Sequence, residues 1–292
     1  MTDSPKHPLA GVRITDVHVH IHPWREMRPE IVAVLRVGQD SEFLERVMYE
    51  PELLLEIMDG DGIDRVGLVN YPSPDVMGTD LRTMTHAARY AESAPHRMMW
   101  YAGVHPRVTR DAVGDVDALI EMGMRMLKVH PNHQALPANA YSEGLVAQAE
   151  IYRRCEDRGI PVLIHTGTSV FPGARSKYGN PLEIDDIAID FPDLQIVLAH
   201  GGRPIWMSEA FFILRRHRNV WFDLSGIPPK SLLEYFPKLA ELEAKLLWGS
   251  DWPSPGVVRM RRNIDQFLAL PLSDSLKRAA LETNPEKLLP RR

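Results

Sequence analysis

Short apolar runs rich in valine, isoleucine, leucine and methionine recur along the whole chain and alternate with longer amphipathic stretches. Runs of that length, bounded by turn residues, suit strands buried on both faces. Their alternation with helical periodicity is the pattern of βα units around a parallel sheet. The pattern predicts strands near residues 12–18, 64–70, 98–104, 124–130, 161–165, 194–200, 220–225 and 245–251. Helical periodicity fills 52–58, 80–92, 142–158, 205–217 and 231–244, with breakers such as Gly159-Ile160-Pro161 and Phe191-Pro192-Asp193 between elements. Eight strands are what a closed barrel needs. The expected fold is therefore α/β, a single (β/α)8 TIM barrel with room for distortion, one domain over 1–292 whose first ten residues form a flexible tail.

Two connections exceed the usual βα length. Residues 21–48 follow the first strand on the side where a barrel carries its active site, which makes them an insertion near the rim and Trp24 a candidate substrate contact. Residues 166–180 hold Gly167, Gly173 and Gly179 together with the cations Arg175 and Lys177.

Composition narrows the function. With 292 residues, 44% of them hydrophobic and 25% charged, the chain has ample material for a core and no sign of disorder. A formal charge of −5, with lysine and arginine spread evenly, argues against nucleic acid as a partner. No basic start followed by an apolar segment, and no apolar run of membrane-spanning length, is visible, so a cytoplasmic protein without a membrane partner is expected. The one cysteine, Cys155, excludes an internal disulfide; it falls in a helical pattern, and its replacement is expected to be nearly silent.

The chemistry lies at the strand ends. In Asp16-Val17-His18-Val19-His20 the alternation of a strand aims both imidazoles at one place, a natural pair of metal ligands. The run ending Leu163-Ile164-His165 stops on a histidine, as does Leu198-Ala199-His200, and Trp248-Gly249-Ser250-Asp251 stops on an aspartate. Taken singly, each has a plainer explanation: a solvated or satisfied histidine, a glycine turn, a capping carboxylate. In a parallel barrel, however, these ends meet at one rim, and their coincidence points to a metal site. Asp223, Ser225 and, less strongly, His105 are further rim candidates.

Together with Lys128-Val129-His130-Pro131 and Trp252-Pro253, these segments resemble the amidohydrolase superfamily. More narrowly they resemble the amidohydrolase-related (amidohydrolase 2) branch, which includes aminocarboxymuconate semialdehyde decarboxylase, aromatic-acid decarboxylases and lactonases. The resemblance implies His18, His20, His165 and Asp251 as metal ligands, with Asp251 also moving protons and His200 a catalytic histidine. It implies one divalent ion, zinc in the first place and manganese in the second; a second ion bridged by a carbamylated Lys128 is the less favoured arrangement. Lys128, His130, Arg175, Lys177, Arg203 and Trp24 are the candidate contacts for a small, anionic substrate, and a homodimer is the expected assembly. Hydrolysis of a lactone, amide or related carbonyl ranks slightly ahead of non-oxidative decarboxylation, with a non-catalytic binding barrel as the remote third reading.

Overall fold

A computed structural model describes Leu9 and residues 11–291; the expected tail over 1–10 lies, Leu9 apart, outside the described residues. Eight parallel strands follow one another around a barrel: β1 (Ile14–Val19), β2 (Ile63–Val69), β3 (Met98–Ala102), β4 (Met126–Val129), β5 (Val162–His165), β6 (Ile196–Ala199), β7 (Val220–Asp223) and β8 (Leu246–Leu247). Side chains such as Val66, Leu68, Ile164, Val197 and Phe222 are at most 1% exposed, which is why these strands read as continuous apolar runs rather than alternating ones. Each such side chain contributes about 1.5–3 kcal/mol by leaving water.

The strand β8 has only two residues, so the barrel closes by other means. The Val17 amide donates to the Trp248 carbonyl at 2.9 Å, Asp251 to His18 at 2.9 Å and His20 to Trp252 at 2.7 Å. The seam between the first and last strands is thus stitched through the segment that carries Asp251.

Several predicted strands are shorter at their C-terminal ends than the apolar pattern suggests. His130 and His200 lie just past the last ladder residue and Asp251 four residues beyond β8, and His200 and Asp251 adopt left-handed backbone at φ 67° and 66°. The chain bends sharply there and turns these side chains over the barrel mouth.

Helices surround the sheet. Asp80 accepts from the amides of Arg82 and Thr83 to begin Leu81–Glu92, and Asp111 accepts from Gly114 to begin Ala112–Glu121. The helix predicted over 142–158 is divided: a 3₁₀ turn, Ala140–Glu143, ends on Gly144 at φ 95°, and the α-helix proper is Val146–Asp157. A left-handed glycine stops the turn because a Cβ there would be strained. The helix predicted over 231–244 breaks into Pro229–Ser231, Leu232–Tyr235 and Leu239–Lys245. Pro237 lacks the amide hydrogen a continuous helix needs and biases Phe236 away from helical backbone. Cys155 is fully buried on Val146–Asp157 and is absent from the lining of the barrel mouth. No helix among the described residues is long and apolar enough to cross a membrane.

Burial also leaves a pH signature. Glu183, at the start of helix Glu183–Asp190, accepts from the Ala138 amide at 2.6 Å, yet desolvation raises its pKa from 4.5 to about 7. Between those values the unfolded chain releases a proton that the folded protein keeps, so stability falls as pH rises through that window and levels off above it. Replacing Glu183 by glutamine is expected to remove this slope. Denaturant titrations at pH 5 and pH 8 should show the variant gaining on the native protein at the higher pH; an equal difference at both would refute the assignment.

Candidate metal centre and substrate cavity

Strand alternation places Asp16, His18 and His20 on one face of the first strand, and the seam brings Asp251 against them. The Asp16 Oδ1 atom accepts from the amides of His18 (3.1 Å) and Ser250 (2.9 Å), tying the two sides of the seam together. Burial pushes the Asp16 carboxyl up to about 7.

The histidines are held with their Nε2 lone pairs free. His18 Nδ1 faces Asp223 Oδ2 at 2.5 Å, and His200 Nδ1 faces the Ser225 carbonyl at 2.8 Å. Both partners accept hydrogen bonds, so Nδ1 carries the hydrogen in each ring, the arrangement in which a second residue orients a metal-binding imidazole. Desolvation lowers the His18 pKa and brings that of His200 down to about 3, which keeps both rings neutral. The His18 Nε2 atom is buried without a hydrogen-bond partner and lies 3.6 Å from Asp251 Oδ1. Burial alone would raise the Asp251 pKa, but the hydrogen bond from His20 and the neighbouring imidazoles outweigh it and keep the carboxylate ionised.

Ligand-capable atoms of His18, His200 and Asp251 all lie within 4.8 Å of one another, the group among the described residues that can hold one divalent ion. The chemistry fits: two neutral nitrogens and one ionised carboxylate, all buried, suit a first-row divalent metal. His20 adjoins this trio, its Nε2 atom 3.0 Å from Asp251 Oδ1 and its Nδ1 atom 3.3 Å from the Val69 carbonyl. The His165 Nε2 atom is buried without a partner, and its ring lies 4.7 Å from that of His200.

A cavity of about 400 Å³ opens over this cluster. Lys128, His130 and Arg203 line it; Trp24, Arg175 and Lys177 do not. Trp24 is buried beneath the Arg36 guanidinium, 5.7 Å from its ring, and the insertion sends Leu35 into the cavity instead. Arg175 and Lys177 point to solvent, the latter with its ammonium 4.7 Å from the Tyr178 ring, while the same connection contributes Thr168 to Phe171 to the wall. His105 is likewise outside the lining.

The Lys128 Nζ atom is buried with no hydrogen-bond partner, and desolvation lowers its pKa to about 8. The Arg203 Nε atom is in the same position, and one terminal nitrogen of that guanidinium is 4.0 Å from Asp251 Oδ2.

Among the lining residues that the sequence did not point to are His22, Tyr71, Ser169 and Gly226. His22 continues the period-two series of His18 and His20, a signal that was there to be used, and bonds Asn70 at 2.9 Å. Tyr71, Ser169 and Gly226 carry no comparable signal, because contacts distant in sequence create their roles. A Cβ on Gly226, at φ 65°, would lie within 3.0 Å of Arg203, His200 Nδ1 and Asp251 Oδ2. Three functional groups converge on space that only glycine leaves open.

A TIM barrel whose mouth carries a buried His/His/Asp trio able to hold a divalent ion defines a metal-dependent enzyme class. The chain belongs to the amidohydrolase family (Amidohydro_2), which it matches over residues 15–291, in line with the resemblance in its motifs. No curated protein matches it. Among solved structures it is similar to an uncharacterized TIM-barrel protein from Bordetella bronchiseptica, with 22% identity, TM-score 0.74, and 95% of this chain and 98% of that one covered. It is also similar to a 2,6-dihydroxybenzoate decarboxylase complexed with 2,6-dihydroxybenzoate (15% identity, TM-score 0.69, coverage 96% and 98%). A third is the 5-carboxyvanillate decarboxylase of Novosphingobium aromaticivorans with bound manganese (14%, TM-score 0.68, coverage 96% and 97%). At these identities the likeness shows the fold.

Gly226→Ala tests the convergence. The variant is expected to fold, yet to bind a divalent ion at least about tenfold more weakly, because His200 and Asp251 must move apart. Metal content after dialysis against graded chelator would measure this; unchanged affinity in a folded variant would place the ion elsewhere.

Proposed function

We propose that this protein is a metal-dependent carboxy-lyase that removes CO2 from a small aromatic carboxylic acid. The observation that carries the reading is a pair of cations lining a cavity of about 400 Å³ beside the His/His/Asp trio, the buried Lys128 and the partly exposed Arg203, each with one buried nitrogen that has no hydrogen-bond partner. A buried donor without an acceptor is costly, and a substrate carboxylate would satisfy both Lys128 Nζ and Arg203 Nε. Apolar walls from Leu35, Met77, Tyr71, Phe171 and Pro228 suit a flat ring. That two similar structures are decarboxylases, one holding 2,6-dihydroxybenzoate and one manganese, supports decarboxylation over the hydrolysis that the motifs alone ranked first.

His18, His200 and Asp251 would hold the ion, with His20 and His165 beside them. Zinc and manganese both suit these donors. When bound, the ion supplies positive charge that anchors oxygen atoms of the acid. The Asp251 Oδ1 atom is engaged by His20, which leaves Oδ2, on the Arg203 side, to carry a proton. Asp251, ionised in the free protein, takes that proton from the substrate hydroxyl or from solvent and delivers it to the ring carbon. The carbon–carboxylate bond breaks, its electron pair forms the new C–H bond, and CO2 leaves; solvent restores any proton taken from the hydroxyl. Lys128 and Arg203 steady the carboxylate until then, and the apolar wall keeps out competing water. A second reading, hydrolysis of a lactone or amide, rests on the same ionised Asp251 acting as base towards a water molecule.

Metal content and turnover separate the roles. His18→Ala and His165→Ala are expected to lose the ion, whereas Asp251→Asn keeps appreciable metal and loses a factor of about 10²–10⁴ in turnover. A screen of hydroxylated benzoates for CO2 release, set against lactones and amides, decides the reaction. Hydrolysis without CO2 release would overturn the primary reading, and equal metal and activity in all three variants would overturn the residue assignment.

A further inference from the structure

We propose that Tyr71, His133 and Ser169 form a directed hydrogen-bond chain that presents the Ser169 hydroxyl hydrogen to a ring oxygen of the bound acid, making Ser169 a specificity-determining contact. This rests on the aromatic-acid reading of the cavity. The three residues come from three separate loops at the barrel mouth: Tyr71 just beyond β2, His133 in the short helix Pro131–Gln134 after β4, and Ser169 in the connection after β5. The Tyr71 hydroxyl lies 2.9 Å from His133 Nδ1, and His133 Nε2 lies 2.7 Å from Ser169 Oγ. Both Tyr71 and Ser169 line the cavity, while His133 is 1% exposed behind them.

A neutral imidazole has one donor and one acceptor nitrogen, so the chain must run in one of two directions. Desolvation holds His133 well below its ordinary pKa, and burial raises Tyr71 above its own, so the ring is neutral and the phenol keeps its hydrogen. If Ser169 donated to His133 and His133 to Tyr71, the buried Tyr71 hydrogen would have no acceptor among the described residues. An orphaned buried donor costs about 1–3 kcal/mol. In the opposite direction Tyr71 donates to Nδ1 and Nε2–H donates to Ser169 Oγ, which also accepts from the Phe171 amide at 3.3 Å. Both lone pairs of Ser169 are then filled, and its only remaining group is a hydrogen at the cavity wall.

The rest of the surroundings fixes this arrangement. The His133 ring stacks on His130 at 3.6 Å and meets the edge of Phe171 at 5.3 Å, and Ser73 Oγ donates to the His133 carbonyl at 2.9 Å. The Thr168 amide donates to the Arg203 carbonyl at 3.0 Å, so the Ser169 loop is fastened to the segment bearing the guanidinium. With Lys128 and Arg203 matched to the carboxylate, the neutral serine donor matches a hydroxyl or alkoxy oxygen on the ring. Oxygen-substituted acids are thereby preferred over the bare ring.

Two measurements test this on the whole chain loaded with zinc, a diamagnetic ion that leaves nearby nuclei observable. Nitrogen-15 NMR of labelled histidine, with His133 assigned by loss of its signal in His133→Gln, is expected to give the Nε2–H tautomer, and Tyr71→Phe is expected to keep it, since Nδ1–H would then be a buried donor with no acceptor. Calorimetric titration is expected to show 2,6-dihydroxybenzoate binding about tenfold more weakly to Ser169→Ala, with benzoate binding unchanged. Adding Tyr71→Phe to Ser169→Ala should cost no more, since the Tyr71 hydroxyl bears on the acid only through the serine. An Nδ1–H tautomer in the native protein overturns the chain whatever binds, and equal losses for both acids overturn Ser169 as a reader of ring oxygen. Binding of neither acid by the native protein refutes the aromatic-acid reading and with it this assignment of Ser169, while the tautomer still decides the direction of the chain.

Discussion

The site depends on the way the barrel closes. Because β8 is two residues long, the backbone hydrogen bonds that shut the ring involve His18 and His20 on one side and Asp251 and Trp252 on the other. Closure of the fold and assembly of the cluster coincide, since the amide of Asp251 bonds the His18 carbonyl while its carboxylate meets His20. Asp16 reinforces the seam by accepting amides from both sides with one buried oxygen. The left-handed backbone of His200 and Asp251 belongs to the same geometry. Such backbone costs about 1–3 kcal/mol for a residue with a side chain, and it is tolerated where the surroundings dictate it. Histidine and aspartate are among the residue types that enter this region most readily, so the residues the chemistry needs are also ones the bend accepts.

Electrostatics then sorts the buried groups by charge. Desolvation keeps His18, His165 and His200 neutral, while the hydrogen bonds from His18 and His20 keep Asp223 and Asp251 ionised against the same desolvation. The Asp223 carboxylate behind His18 and the Ser225 carbonyl behind His200 leave the Nε2 lone pairs of both rings directed inward, a condition for holding a cation that random burial of polar groups would not produce.

Much of this is written locally in the chain. The eight strands were legible because each is buried on both faces and appears as an apolar run, and His18, His165, His200 and Asp251 were legible because βα topology sends strand ends to one rim. What the sequence concealed depends on distant contacts or on one residue's backbone. Pro237 divides a segment that periodicity joins, and Gly144 does the same to another. Trp24, Arg175 and Lys177 lie in the right connections, but which side chain of a long loop turns inward depends on packing: Leu35 and Ser169 face the cavity. Gly226 is invisible as a functional residue until Arg203, His200 and Asp251 are seen to meet over it. A sequence pattern reports what a residue offers its neighbours along the chain, and a barrel mouth is built from residues that are never neighbours along the chain.

Charge bookkeeping at the mouth bears on the kind of substrate. Asp223 and Asp251 are balanced by Lys128 and Arg203, so the protein's own groups sum to about neutrality around the cavity, and a divalent ion adds two positive charges in a medium that screens them poorly. A neutral lactone or amide would leave that excess uncompensated. An acid bearing a carboxylate and an ionisable ring hydroxyl can bring up to two negative charges to the same place, and loss of CO2 removes one of them. The product is then held less tightly than the substrate, which favours its release. The proposed decarboxylation therefore moves the cavity from a compensated to an undercompensated state in the course of each turnover, whereas hydrolysis of a neutral ester or amide creates a new carboxylate and moves it the other way, towards a product held more tightly than its precursor.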